Sequence, residues 1–358
     1  MGTRHGPRII RTVAVFAFAG ALTLAPLGGS LTQAALASSA SLTVVAWGDD
    51  SVGETNVPTG LSGVTAISAG SNFGLALKSD GTVVAWGDDS YGQTNAPAGL
   101  AGVTAISAGD SFALALKNDG TLVAWGDDSH GQTNVPAGLS GVTAISAGRS
   151  FGLALEGDGT VVGWGQDTSL DTNVPTALSG VASISAGSNY CLALKREGTV
   201  VAWGDDGHGQ TNVPAGLSGV SAITAGDLFA LALKSDGTVV AWGQDTALDT
   251  KVPSVVSGVS AIAAGLQFSL ALESDGTVVA WGDNLFDQTN VPAGLSGVTA
   301  IAAGDYFGLA LAPPLATRVL GPMGWIVVGC ELLLLVAIVA WVRYRHPFGL
   351  HLRHGPVA

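Results

Sequence analysis

Residues 64–102 read VTAISAGSNFGLALKSDGTVVAWGDDSYGQTNAPAGLAG. Three short runs, Val64–Ala69, Phe73–Lys78 and Thr82–Gly87, alternate or are rich in β-formers. Ser79-Asp80-Gly81 joins the second run to the third, and its glycine accepts the positive φ of a tight hairpin. Gly70 serves the turn between the first two runs. Pro97 cannot donate to a strand ladder, so the stretch after Trp86-Gly87 lies outside the three strands.

This unit recurs. Trp-Gly begins at Trp47, Trp86, Trp125, Trp164, Trp203, Trp242 and Trp281, always 39 residues apart. Leu-Ala-Leu recurs at the same interval from Leu75 to Leu309. A unit of three or four short antiparallel strands cannot bury both faces alone and must stack on its neighbours. Open stacking makes a solenoid, and circular stacking makes a propeller. The chain ends decide between them. The first element is a lone third strand, Leu42–Gly48, and the last is a lone first–second pair, Val298–Leu311. Each completes the other. The expected fold is therefore all-β: a seven-bladed β-propeller over residues 42–312, closed by the N-terminal strand, with one tryptophan per blade as a large packing element.

Outside the repeats the chain changes character. Arg4, Arg8 and Arg11 precede the apolar stretch 12–25, which reads as an export signal over residues 1–37. Cleavage after Ala37 and cleavage after Ala40 both fit. A linker, 313–322, leads to the apolar run 323–342, long enough for a transmembrane helix. Trp325 and Trp341 flank that run, and Arg343, Arg345 and Arg353 follow it. This pattern predicts an extracellular propeller, a single pass through the cell membrane and a basic cytoplasmic tail, 343–358. Glu331 within the span is either a contact to a partner helix or a neutral acid. The two cysteines, Cys191 and Cys330, fall in different segments, so no internal disulfide is expected.

The whole chain carries a formal net charge of −13, which argues against a nucleic-acid partner. Residues 38–312 hold 26 acidic and 7 basic side chains, a net of −19.

The motif G-x-x-F-x-L-A-L-K-x-D-G-T-V-V-A-W-G-x-x-x-x-G-Q resembles the repeat of the regulator of chromosome condensation family across roughly residues 42–312. The short unit with T-N-V-P-A-G-L-S-G-V is more similar to bacterial secreted members, among them the propeller-type β-lactamase inhibitory protein. The resemblance implies a propeller that binds rather than catalyses. The nucleotide-exchange role of the family's eukaryotic founder does not carry over, because compartment and repeat length differ.

Chain direction sorts the surface. Within a blade the first strand runs up, the second down and the third up. The first turn and the segment after Trp-Gly then share one rim, called the top here, and the hairpin turns form the bottom. The chain leaves from the bottom, so the top should face away from the membrane. Variation concentrates on the top. It lies in the two residues after each Ala-Gly, such as Asp227-Leu228 and Asp305-Tyr306, and in Val52, Tyr91, His130, Leu170, His208, Leu248 and Phe286. A variable rim on a constant scaffold is a common way to build a binding surface, and neutral drift at exposed turns produces the same pattern. Asp88-Asp89 and Asp127-Asp128, with their counterparts in other repeats, should make this rim strongly negative. Each aspartate alone reads as a turn cap.

His130 and His208 lack the further ligands of a transition-metal site, and the aspartate spacing matches no calcium loop, so neither metal nor cofactor is expected. No catalytic motif stands out, and an enzyme is not expected. The function expected from sequence is a membrane-anchored extracellular scaffold that captures a protein through its acidic, variable top rim. Binding of carbohydrate or cell wall, or inhibition of a β-lactamase-type hydrolase, are the alternatives.

Overall fold

The structure, a computed structural model, describes residues 42–314 apart from 167, 168, 170, 246 and 248. The expected export signal, the apolar run 323–342, Glu331 and the basic tail lie outside the described residues. Among the described residues no helix is long and apolar enough to cross a membrane.

Seven three-stranded antiparallel sheets form the blades. In blade 1 the inner strand is Val64–Ala69, the middle strand Phe73–Lys78 and the outer strand Val83–Gly87. Thr82, expected to begin the outer strand, belongs to the turn instead. Asp80 Oδ1 accepts both the Thr82 N–H (3.0 Å) and the Thr82 hydroxyl (2.6 Å). Blade 7 combines the two ends of the domain. Its inner strand is Ala300–Ala303, its middle strand Phe307–Ala312 and its outer strand Thr43–Gly48, with Thr43 opposite Ala312 and Gly48 opposite Phe307. Each inner strand touches the inner strands of the blades on either side, and Val64–Ala69 touches Ala300–Ala303, so the ring closes.

The middle strands read as continuous apolar runs because they are covered on both faces by the adjoining blades. From Phe73 to Leu77 every residue is buried. Leu75 and Leu77 pack with Val103, Ala113 and Trp125 of the next blade, and each of the other core clusters likewise draws on adjacent blades. Burying a leucine or phenylalanine side chain contributes ~1.5–3 kcal/mol, so cohesion of the ring resides largely between blades.

The tryptophans add a directed bond to each junction. Trp125 Nε1 donates to the Gln93 carbonyl at 2.9 Å, and all seven ring N–H groups make the same bond to the preceding connection. Hydrogen bonds also fix the two rims. Asp88 N–H donates to the Asn72 carbonyl at 2.9 Å, which brings the post-Trp-Gly segment beside the inner–middle turn at the top. Ser79 N–H donates to the Gly63 carbonyl at 2.8 Å, at the bottom. Pro313 lies beside Gly297 on that bottom rim, where the described chain ends.

Candidate binding surface

The top connections are built from the inside outward. In the connection after Trp86, Asp88 accepts the Ser90 N–H (3.2 Å) and hydroxyl (2.6 Å), while Asp89 accepts the Thr94 N–H (3.0 Å) and the Asn95 amide (2.8 Å). Gln93 is 1% exposed. Its amide donates to Asp88 (2.8 Å), and its oxygen accepts the Tyr91 N–H (2.9 Å). The loop tip is thereby fixed, and Tyr91 is 58% exposed on it. Gln132 holds His130, Gln210 holds His208 and Gln288 holds Phe286 in the same way. Sequence reasoning singled out the tips and missed the glutamines. A Glu, Gln or Asp recurs every 39 residues at this position, and that recurrence is the signal that could have revealed them.

The four aspartates expected on the rim are loop scaffold as well as charge. Asp127 and Asp128 accept bonds from Ser129, Gln132 and Thr133, repeating the pattern of Asp88 and Asp89. Bonding from Thr94 holds the Asp89 carboxyl below its ordinary value, so it is ionised at neutral pH.

Of the apolar rim residues, Phe286 and Tyr306 are brought together, with ring centroids 4.7 Å apart and tilted 48°. Leu285, not anticipated from sequence, is 83% exposed beside them. Following the ring, the next two connections carry exposed Val52 and Tyr91. These residues form an apolar arc over three consecutive connections. Leu228, expected in the same patch, is half-buried on the blade 5 turn, two blades from Tyr306. His130 and His208 are exposed on separate connections beyond the arc. Leu170 and Leu248 lie outside the described residues. Among the described residues, no three His, Cys, Asp or Glu side chains gather as a metal-ligand set.

The first residue after each Ala-Gly turns inward to the axis. Ser71, Asp110, Arg149, Ser188, Asp227, Leu266 and Asp305 line the top of the central channel, a cavity of about 340 Å³. Below it, one isoleucine from each inner strand, Ile67 through Ile301, lines a wider space of about 570 Å³. Arg149 pairs with Asp110 at 3.8 Å, and the Ser71 hydroxyl donates to Asp110. Burial pushes the Asp305 carboxyl up to about 7, with the charges of Asp110 and Asp227 adding to the effect. The native state therefore holds this proton more tightly than the unfolded chain. The resulting stability is full below the ordinary carboxyl value of 3.8 and is lost as pH rises through about 7. We expect the melting temperature to fall between pH 5 and pH 8, and Asp305→Asn to remove several degrees of that fall. Thermal scans across that range test this, and a variant whose slope equals the wild type's refutes it.

A closed seven-bladed ring with inter-blade tryptophans, a constant scaffold and a variable rim defines a repeat β-propeller. The chain belongs to the regulator of chromosome condensation (RCC1) repeat family, whose model matches residues 64–93, 103–132, 142–169, 181–210, 220–247 and 259–288. These six copies are the blades whose strands are consecutive in sequence. Among solved structures, Prp20p from Saccharomyces cerevisiae, studied for its binding to Gsp1p and histones, is similar at 16% identity and TM-score 0.67, covering 82% of this chain and 95% of that one. Yeast RCC1 (Prp20) with Kap60 bound is similar at 16% identity and TM-score 0.66, covering 87% and 99%. The ectodomain of the Physcomitrella patens receptor kinase CR4 shares 26% identity at TM-score 0.58, covering 68% of each chain. No curated protein matches the sequence.

Proposed function

We propose that this protein is a membrane-anchored extracellular propeller that captures a protein partner on its top rim and carries out no catalysis of its own. The observation that carries the reading is the apolar arc of Leu285, Phe286, Tyr306, Val52 and Tyr91 set among rim carboxylates. Every exposed large hydrophobic residue among the described ones lies on this arc except Val255. Aromatic side chains supported by a rigid scaffold are the usual anchors of protein interfaces. Carboxylates around them favour a partner that presents basic side chains next to an apolar one. The family relationship supports the reading, since yeast RCC1 is a propeller seen with protein partners. Export and anchoring rest on the sequence of the two chain ends, and a chain that leaves the bottom rim would present the top to the outside.

The test is capture from cell-envelope and secreted fractions on the full chain in detergent, beside a variant with Tyr91, Phe286 and Tyr306 changed to alanine. We expect the wild type to retain a discrete protein and the variant to lose at least ~100-fold in affinity, since each anchor is worth about 1–2 kcal/mol or more. Equal retention by both chains would remove the rim from the function. Retention on polysaccharide alone would replace protein capture with glycan binding.

A further inference from the structure

Six of the seven top connections combine one acid with one amide at the same two positions, and one does not. Asp88 with Gln93, Asp127 with Gln132, Asp205 with Gln210 and Asp283 with Gln288 each join a carboxylate to an amide at 2.8–2.9 Å. At the same two positions the chain has Gln166 with Asp171 and Gln244 with Asp249. There the residue types are exchanged and the combination of one acid with one amide is kept. Only the connection after Trp47 has two acids, Asp49 and Glu54. Glu54 is 1% exposed. Its Oε2 accepts the Val52 N–H at 2.9 Å, and its buried Oε1 has no hydrogen-bond partner. In the amide-bearing connections the corresponding atom is the nitrogen that donates to aspartate.

We propose that Asp49 and Glu54 form a proton-operated latch: with one proton between them they hold the Val52 connection shut as glutamine does elsewhere, and with both ionised they release it. A protonated Glu54 supplies the missing donor to Asp49. Two ionised carboxylates side by side repel each other in a site with little water. Burial raises the Glu54 carboxyl above its ordinary 4.5, and the neighbouring Asp49 charge acts in the same direction. Asp49 is the titratable group that faces Glu54. Asp50 is occupied by the Thr55 N–H, and the next blade contributes the Trp86 ring N–H, bound to the Glu54 carbonyl at 2.9 Å. On the blade 7 turn, burial, with smaller contributions from nearby carboxylates that include Asp49, raises the Tyr306 phenol above 10.0, and it stays neutral. Among the described residues no ion pair reaches either acid. The closed connection is therefore favoured at low pH and is lost as pH rises through the raised Glu54 value.

Hydrogen exchange of the full chain reads the latch locally. The peptide over residues 49–56 is unique in sequence, so the seven repeats do not confuse it. Between pH 5 and pH 8, after correction for the intrinsic rate, we expect wild-type protection in this peptide to fall. Glu54→Gln copies the common connections and should hold protection constant across the range. A wild type with pH-independent protection, or a Glu54→Gln variant that falls as the wild type does, would overturn the latch. Because Val52 lies on the apolar arc, the latch also makes capture pH-dependent, a consequence that rests on the function proposed above. If partner capture fails while the exchange result holds, the capture proposal falls and the latch stands. If capture weakens from pH 5 to pH 8 equally in wild type and Glu54→Gln, the latch does not regulate it.

Discussion

A chain with residues 42–48 deleted should lose its cooperative melting transition, or show it at least ~15 °C lower. These residues add no strand to blades 1–6, yet they form the whole outer strand of blade 7. Their removal leaves Phe307–Ala312 as an open strand edge, now lined by exposed N–H and C=O groups that invite aggregation. It removes Trp47, which is 6% exposed and packs with Phe268 and Leu270 of blade 6 and with Val298 of its own blade. It also leaves the Gln288 carbonyl, bonded at 2.9 Å to the Trp47 ring N–H, without a donor. A buried tryptophan cut to alanine costs about 3–5 kcal/mol, and an unsatisfied buried carbonyl about 1–3 kcal/mol more. At roughly 2–4 °C per kcal/mol for a domain of this size, the combined loss reaches the stated shift before the lost strand ladder is counted. Trp47→Phe gives a milder control, because it keeps most of the volume and removes only the N–H. A synthetic peptide of residues 42–54 added to the deleted chain should raise its melting temperature with the logarithm of the peptide concentration, since it binds only the folded ring. If the deleted chain melts as the intact one does, the ring is not closed by the N-terminal strand.

Closure was legible in the sequence because it depends on counting. Seven Trp-Gly steps at a constant interval, with a lone strand at one end and a lone pair at the other, leave few arrangements that satisfy every strand. The rim was less legible. The variable pairs after Ala-Gly gave no sign that Asp305 would face the axis while its neighbour Tyr306 met Phe286, since that depends on how the turn is rotated. Burial in the channel raises the Asp305 carboxyl, and Asp110 and Asp227 on other blades, which come near it only when the ring closes, add to the effect. The buried glutamines escaped notice for a related reason. A glutamine in a Gly-, Thr- and Asn-rich connection looks like ordinary loop polarity. Its burial follows from the next blade's tryptophan, 32 residues further along the chain, reaching its carbonyl. The same geometry explains why a single Glu54 among Gln and Asp counterparts carries a consequence, although the change itself is conservative.

Two glycines in one blade should answer alanine to different degrees. Gly148→Ala is expected to lower the melting temperature by roughly 5–10 °C, and Gly152→Ala by less than ~3 °C. Judged by clashes alone they look alike. A Cβ at Gly148 would lie 2.4 Å from the Phe151 ring and 2.7 Å from the Gly187 carbonyl oxygen, while one at Gly152 would lie 2.4 Å from the Trp164 ring. The repeats distinguish them. The position of Gly152 carries Ala113, Cys191, Ala230 and Ser269 in other blades, each opposite a tryptophan. Those tryptophans are 6–8% exposed and keep their 2.9 Å bonds, so the ring shifts to admit a Cβ and remains buried. The position of Gly148 is glycine in all seven units, from Gly70 to Gly304. Its obstacle is partly the backbone of the next blade, and that carbonyl can retreat only if the blades separate. Phe151, the other obstacle, is 0% exposed in the inter-blade core and has no free space to enter. The cost is therefore that of overpacking, about 1–3 kcal/mol, concentrated at a junction on which ring closure depends. Equal melting temperatures for the two variants would show that the junction yields as readily as the tryptophan ring.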